Sequence, residues 1–377
     1  MAEAPIAIRE LEVWGYRSVR HLVLPLRRVN VLTGPNGCGK SNLYNAVVLL
    51  ARGATGALAS AIAEEGGMPS VLWAGAEGKR LARRAPPRRV GLRVSGDDFG
   101  YELQCGLPIP AETAFGLDPE VKEERVWLAD PAGRHVTLME RDGATARLRG
   151  ADGSMVRFPL SLDISESVLS QIQEPHLYPE LALLRERMHR WRFYHHFRTD
   201  TAAPLRQPQV GVRTPVLGHD GADLAAALQT IREIGDDAAL AEAVDRAFPG
   251  ASVQVRSEMT RFQVFLSMPG VLRPLSAAEL SDGTLRYLCL VAALLSPRPP
   301  ALLALNEPET SLHPDLLAPL ASLIHRAWSS SQLWITTHSR FLAEEVSRLC
   351  GEAPVELRLA DGETQLATAS PKNVSFG

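Results

Sequence analysis

The chain has 377 residues, 45% apolar and 22% charged, the composition of a globular protein with material for two or three cores. Forty basic against 43 acidic residues give a net charge of −3, which excludes wholesale electrostatic attachment to nucleic acid or membrane but leaves room for local patches. Four cysteines, Cys38, Cys105, Cys289 and Cys350, include no C-x-x-C pair, which excludes a disulfide scaffold and the usual zinc spacings. No secretory leader pattern opens the sequence, and the longest clean apolar run, Tyr287 to Leu295, is too short for about 30 Å of hydrocarbon. The expectation is a cytoplasmic protein without a membrane partner.

Residues 6–13 alternate as a strand, and Val29 to Thr33 form a second after a Gly-Tyr-Arg-Ser turn. A glycine-rich loop leads into a helix from about Lys40 to Arg52, with Leu43, Ala46, Val47 and Leu50 at helical spacing. Between about 90 and 160, Gly-Asp, Pro-Ala-Gly and Asp-Gly turns separate short alternating segments. Val126 to Leu128, His135 to Glu140 and Ala144 to Leu148 read as an antiparallel meander. From Pro179 to Phe197, Leu181, Leu184, Met188 and Trp191 make one apolar helix stripe, and a helix pair follows at about 221–248, broken at Gly235-Asp236. Strands return at Val253 to Val255 and Phe262 to Leu266, then a long helix from about Asp282, and apolar strands at Ala301 to Leu305 and Leu333 to Thr336. This order suggests an α/β unit with an inserted lobe, divided as 1–163, 164–250 and 251–377.

Gly34-Pro35-Asn36-Gly37-Cys38-Gly39-Lys40-Ser41, followed by Asn42, matches G-x-x-x-x-G-K-[ST] between a strand and a helix. Glycines let the backbone N–H groups turn inward around a phosphate, and the helix N-terminus adds partial positive charge. In this pattern Lys40 faces the β- and γ-phosphates of ATP, and the Ser41 hydroxyl ligates Mg²⁺. Leu280-Ser281-Asp282-Gly283-Thr284 opens an apolar helix. It reads either as a second anion site built on Ser281 and Gly283 or as an ordinary serine N-cap. The apolar run Leu302 to Leu305 ends in Asn306-Glu307-Pro308, with Glu309 following, and the strand Leu333 to Thr336 ends in Thr337-His338-Ser339. Polar residues at the C-terminal edges of such strands are where α/β sheets present reactive groups.

The ordered series resembles the RecF/SMC-type branch of ABC-type P-loop ATPases, with Gly-Tyr-Arg-Ser, Gly-Pro-Asn-Gly-x-Gly-Lys-Ser-Asn and Asn-Glu-Pro-Glu-x-x-Leu-His-Pro carrying the likeness. The resemblance implies a P-loop ATPase head with an antiparallel β meander and an inserted helical lobe. It implies Arg17 near the phosphates, Ser281 and Gly283 in the signature, Glu307 activating water and His338 as the switch histidine; by its place after the meander, Gln171 reads either as the glutamine that reaches Mg²⁺ or as a surface helix glutamine. The family pattern has Asp where Asn306 stands, which implies weaker metal support and slow turnover. Asp282 adds a carboxylate beside an anion site, a cost unless it is paired. A homodimer closing head to tail on two ATP is implied, with DNA as a partner. The rivals are a module gating a separate effector protein and a transporter ATPase. Two basic stretches could grip a phosphate backbone: Lys79, Arg80, Arg83, Arg84, Arg88, Arg89 and Arg93, and the five arginines from Arg185 to Arg198. Adjacent His195 and His196, read as helical, are not a metal site.

Overall fold

The computed structural model describes residues 7–75, 89–110, 112–129 and 135–367. Strands β1 (Glu10–Tyr16), β2 (Val19–Pro25) and β3 (Val29–Thr33) lead into α1 (Lys40–Ala54), α2 (Leu58–Glu64) and α3 (Met68–Val71). Then come β4 (Arg89–Ser95), β5 (Phe99–Gly106), β6 (Glu120–Ala129), β7 (His135–Asp142), β8 (Thr145–Arg149), β9 (Met155–Arg157), α4 (Val168–Gln171) and α5 (Pro179–His189). The next elements are β10 (Arg192–Tyr194), β11 (Gln209–Val210), α6 (Leu224–Ile234), α7 (Asp237–Ala247), β12 (Ser252–Glu258), β13 (Arg261–Ser267) and β14 (Leu275–Ser276). The order ends with α8 (Asp282–Leu294), β15 (Leu302–Asn306), α9 (Leu317–Ala327), β16 (Gln332–Thr336), α10 (Arg340–Cys350), β17 (Val355–Ala360) and β18 (Glu363–Leu366).

These elements form two compact units. A meander unit takes Ile8–Pro25, Leu32–His189 and the chain from Val355; a parallel unit takes Leu26–Val31 and Arg190–Pro354. The chain passes from one to the other within β3. The stretch 164–250 is shared out, with α4 and α5 in the meander unit and α6 and α7 in the parallel unit.

In the meander unit eight antiparallel strands run in the order β2-β1-β4-β5-β6-β7-β8-β9. Alternation buries Leu11 and Val13 of β1 and Leu92 and Val94 of β4, and α1 contributes Leu43, Val47 and Leu50 to the core. Helix α4 packs at the C-terminal end of α1, where a Cβ placed at Gly53 or Gly56 would touch Ser167 or Ser170. A fully buried ion pair joins Glu124 to Arg141 at 3.3 Å. Glu124 also accepts from the Tyr101 hydroxyl (2.7 Å), the Ser167 hydroxyl (2.6 Å) and the Val168 N–H (2.9 Å). Arg141 donates to the carbonyls of Gly143, Asp163 and Glu166. The network is well supplied with partners, the condition under which a buried pair is tolerated. The end of β3 pairs in parallel with β17, and β17 forms a hairpin with β18.

In the parallel unit β10, β15 and β16 lie side by side in parallel. Leu302–Asn306 and Gln332–Thr336 are buried at every residue, as strands covered on both faces require. The backbone of Arg28 continues this pairing, accepting from the Leu333 N–H at 2.7 Å. Helix α8 is buried from Leu285 to Leu294, which explains its unbroken apolar run. Around it pack Leu228 and Ile231 of α6, Val244 of α7 and Leu320 and Ile324 of α9. A second small sheet, β11-β13-β12 with β14 on β13, completes the unit.

The expected helix to Phe197 is corrected. Helix α5 stops at His189, and Arg192–Tyr194 pair as a strand with Leu303–Leu305. Trp191 continues the helical stripe by chance of spacing; it is buried just ahead of the strand, and Tyr194 is buried within it. Among the described residues, no helix is long and apolar enough to cross a membrane.

Candidate functional site

The meander unit carries the glycine-rich loop. Pro35, Asn36 and Gly37 form its exposed tip, while Cys38, Gly39 and Lys40 are buried. Gly34 has φ +144°, and a Cβ there would collide with the Leu357 carbonyl; Gly39 has φ +102°, and a Cβ there would collide with the Thr364 side chain. Both positions therefore require glycine. Gly39 is also the N-cap of α1 and supplies no side-chain cap, so the first-turn N–H groups of a 15-residue helix are left for an external acceptor. Lys40 is only 4% exposed, and its ammonium donates to the carbonyls of Gly34 at 2.7 Å and Pro35 at 3.2 Å. Those neutral acceptors leave its charge uncompensated, which suits an anion. Ser41 is exposed at the first turn, and the Asn42 amide donates to the Ser18 hydroxyl at 2.7 Å.

Arg17 sits in the turn between β1 and β2 at φ +48°, a conformation uncommon for a non-glycine residue. Its guanidinium pairs with Glu65 at 2.7 Å, and Glu65 also accepts from the Tyr16 hydroxyl at 2.7 Å. Burial, then the neighbouring Glu65 charge, pushes the Tyr16 phenol well above its usual range.

Gln171 is not at the glycine-rich loop. Its Oε1 accepts from the Asp163 N–H at 2.7 Å, and its Nε2 donates to the carbonyls of Asp163 (3.0 Å) and Glu166 (2.9 Å). The amide closes its own loop, and α4 packs at the opposite end of α1, on the order of 18 Å from the first turn at 1.5 Å per residue. In the structure the amide expected to reach Mg²⁺ is thus engaged within its own loop.

The parallel unit gathers a second constellation at the C-terminal ends of three strands: His195 after β10, Asn306 and Glu307 at β15, and Thr337 and His338 after β16. Asn306 Nδ2 lies 2.5 Å from His195 Nδ1, and Asn306 Oδ1 accepts from the Thr336 hydroxyl. Burial first, then His196 and Arg286, lower the His195 pKa, with Glu307 opposing. Glu307 has φ +47°, so a residue proposed for chemistry is held in the left-handed region. Its N–H donates to the Thr336 carbonyl at 2.9 Å. His338 Nδ1 lies 3.3 Å from Glu309 and 3.8 Å from Glu307.

Sequence reasoning passed over Glu309 as a functional group. Its buried carboxylate accepts from the Thr337 hydroxyl (2.5 Å) and the N–H groups of His338 (3.0 Å) and Ser339 (3.3 Å). It thus holds the turn that carries His338. A charged residue within the run Glu-Pro-Glu after a buried strand was the available signal. Arg286, also unread, is buried in α8 and sits 3.5 Å from the Glu307 carbonyl and from His196; desolvation lowers its pKa. His195 and His196 are on no helix, and among the described residues no group of three or more histidine, cysteine or acidic side chains is arranged to hold a metal.

At the start of α8, the Ser281 hydroxyl caps the Thr284 N–H at 3.1 Å. Asp282 is paired: Arg206 donates to it at 2.5 Å and to the carbonyls of Ala277, Ala278 and Leu280. Ser281, Gly283 and Thr284 border a groove of about 690 Å³ that Ser311 to Leu316 line on its other wall. Of the basic stretches, Lys79 to Arg88 lie outside the described residues. Arg89 pairs with Glu123, Arg93 with Glu12, Arg187 with Asp98 and Arg198 with Asp200, while Arg185 faces the carbonyls of Leu169 and Ile172.

A family profile described as "AAA domain, putative AbiEii toxin, Type IV TA system" matches residues 29–344. The chain belongs to this AAA family. Its fold is that of an SMC/RecF-like ABC-type P-loop ATPase. The structure titled "SmcHead bound to the C-winged helix domain of ScpA" is similar at TM-score 0.53 and 15% identity, covering 97% of this chain and 98% of that one. An Smc head domain with an extended coiled coil, from Pyrococcus furiosus and bound to the C-terminal domain of ScpA, is similar at TM-score 0.50 and 14% identity, covering 96% of each. No curated protein matches the sequence. For this AAA-family chain, fold and family support a nucleotide-binding ATPase.

Proposed function

We propose that this chain binds ATP with Mg²⁺ in the cradle Gly34 to Asn42 and hydrolyses it slowly, as a conformational switch that closes on a second copy. The observation that carries the reading is Lys40: a buried ammonium with carbonyl partners, at the uncapped start of a long helix. Such a site is complete only with a polyanion. The oxygen donors nearby, the Ser41 hydroxyl first, suit magnesium rather than a softer metal. When bound, Mg²⁺ would neutralise part of the phosphate charge. The family resemblance has a carboxylate at position 306, and the Asn306 amide, with His195 and Thr336 on its two ends, carries no charge to offer a metal.

Glu307 is the general base in this reading, taking a proton from water, and His338 is the donor to the terminal phosphate, oriented by Glu309. Ser281 and Gly283, on the open groove with Ser311 to Leu316, are the surface for a partner copy's nucleotide. The test is sedimentation of Glu307→Gln, which keeps shape and removes the base. It should run as a dimer with MgATP and a monomer without it; a monomer at saturating MgATP overturns the switch.

What the switch acts on has two readings. DNA is one, gripped by arginines aligned in the dimer. The second, gating of a separate effector protein, is favoured by the toxin–antitoxin description of the family and by the acidic or carbonyl partners that occupy Arg185, Arg187 and Arg198.

A further inference from the structure

Ser18 and Thr364 lie 346 residues apart and share a hydrogen bond at 2.7 Å. Thr364 is 1% exposed, and its backbone N–H donates to the Ser18 carbonyl, also at 2.7 Å. The Ser18 hydroxyl in turn accepts from the Asn42 amide in the first turn of α1. The Thr364 side chain fills the space a Cβ at Gly39 would need, and the Leu357 carbonyl does the same at Gly34. The β17–β18 hairpin therefore closes against both glycine hinges of the loop. It lies beyond residue 344, and Ser18 lies before residue 29, so the family profile covers neither.

We propose that Thr364, acting with Ser18, is a positioning residue for the nucleotide cradle. The pair holds Asn42 and the Gly39 backbone, and through them the direction of the first-turn N–H groups and of Lys40. A loop with Gly34, Gly37 and Gly39 all at positive φ has many alternatives open to it. Donors that are already aimed cost less to order around a phosphate, so the hydroxyl bridge acts on affinity without touching ligand. The proposal rests on the reading that this loop binds ATP.

Isothermal titration of the full chain with MgATP, alongside urea unfolding, tests it. Thr364→Val keeps the shape and loses the hydroxyl, and should bind about five- to tenfold more weakly, the loss expected for one buried hydrogen bond. Thr364→Ser restores the hydroxyl and should bind within about twofold of the parent on the same reasoning. If Thr364→Val shifts the urea midpoint but binds like the parent, the residue is structural and the proposal is wrong. Should Thr364→Val fail to fold, Ser18→Ala removes the same bridge from its less buried end and must show the same loss. Lys40→Ala separates the two layers: if it binds ATP like the parent, the cradle reading has failed, whereas its loss of binding beside an unaffected Thr364→Val rejects the positioning role alone.

Discussion

Asn306 donates its side-chain amide to Nδ1 of His195 at 2.5 Å. The donation requires an unprotonated Nδ1, so His195 carries its proton on Nε2. Asn306→Asp replaces the donor with an acceptor, and His195 must then place a proton on Nδ1. ¹⁵N shifts of the imidazole should report that change, and the added charge should tighten the Mg²⁺ dependence of turnover. An unchanged imidazole would show that the two residues are not bonded in solution.

Lys40→Ala removes the buried charge that the proposed cradle offers to a phosphate. Binding of a fluorescent ATP analogue should fall by at least about 100-fold, while stability holds, because the lost bonds were to carbonyls of the same loop. Retained affinity would move the nucleotide elsewhere.

Glu307 is held at φ +47°, a conformation that glycine adopts without cost. Glu307→Gly should stabilise the fold by about 1 kcal/mol in urea titrations and abolish turnover. A destabilised variant would mean that side-chain contacts outweigh the backbone strain.

Glu124→Leu leaves the Arg141 guanidinium buried without its carboxylate and should cost about 3–5 kcal/mol of folding free energy, read from the urea midpoint. A loss under about 1 kcal/mol would show that water reaches Arg141.

Non-specific DNA affinity of the ATP-bound Glu307→Gln protein should fall steeply with salt if DNA is the partner, and charge reversal at Arg83, Arg84 and Arg88 should weaken it. Reversal at Arg187 and Arg198, already paired with Asp98 and Asp200, should change it less than about twofold. Salt-independent or absent binding leaves the effector reading.

The sequence was most readable where motif and burial coincide. Val29–Thr33, the helix from Lys40, and the strands around Leu303 and Leu333 are apolar runs bounded by polar turns, and the structure has them in place. Strand β10 was not readable, because three residues carry no period of their own and Arg192–Tyr194 become a strand only by pairing with Leu303–Leu305, over 100 positions away. For Gln171 nothing local in the sequence distinguishes a glutamine that closes a loop from one that meets a metal, and the structure shows its loop contacts. The β17–β18 hairpin did leave a signal, Asp361-Gly362 between alternating segments, and both residues have positive φ as a tight primed turn demands.

The contact between Ser18 and Thr364 has a consequence for synthesis. Asn42 and the loop ahead of it leave the ribosome more than 300 residues before Thr364 does, an interval of some tens of seconds at about 5–20 residues per second. Through that interval the nascent loop lacks its brace, so ATP meets a braced cradle only after Thr364 has been made.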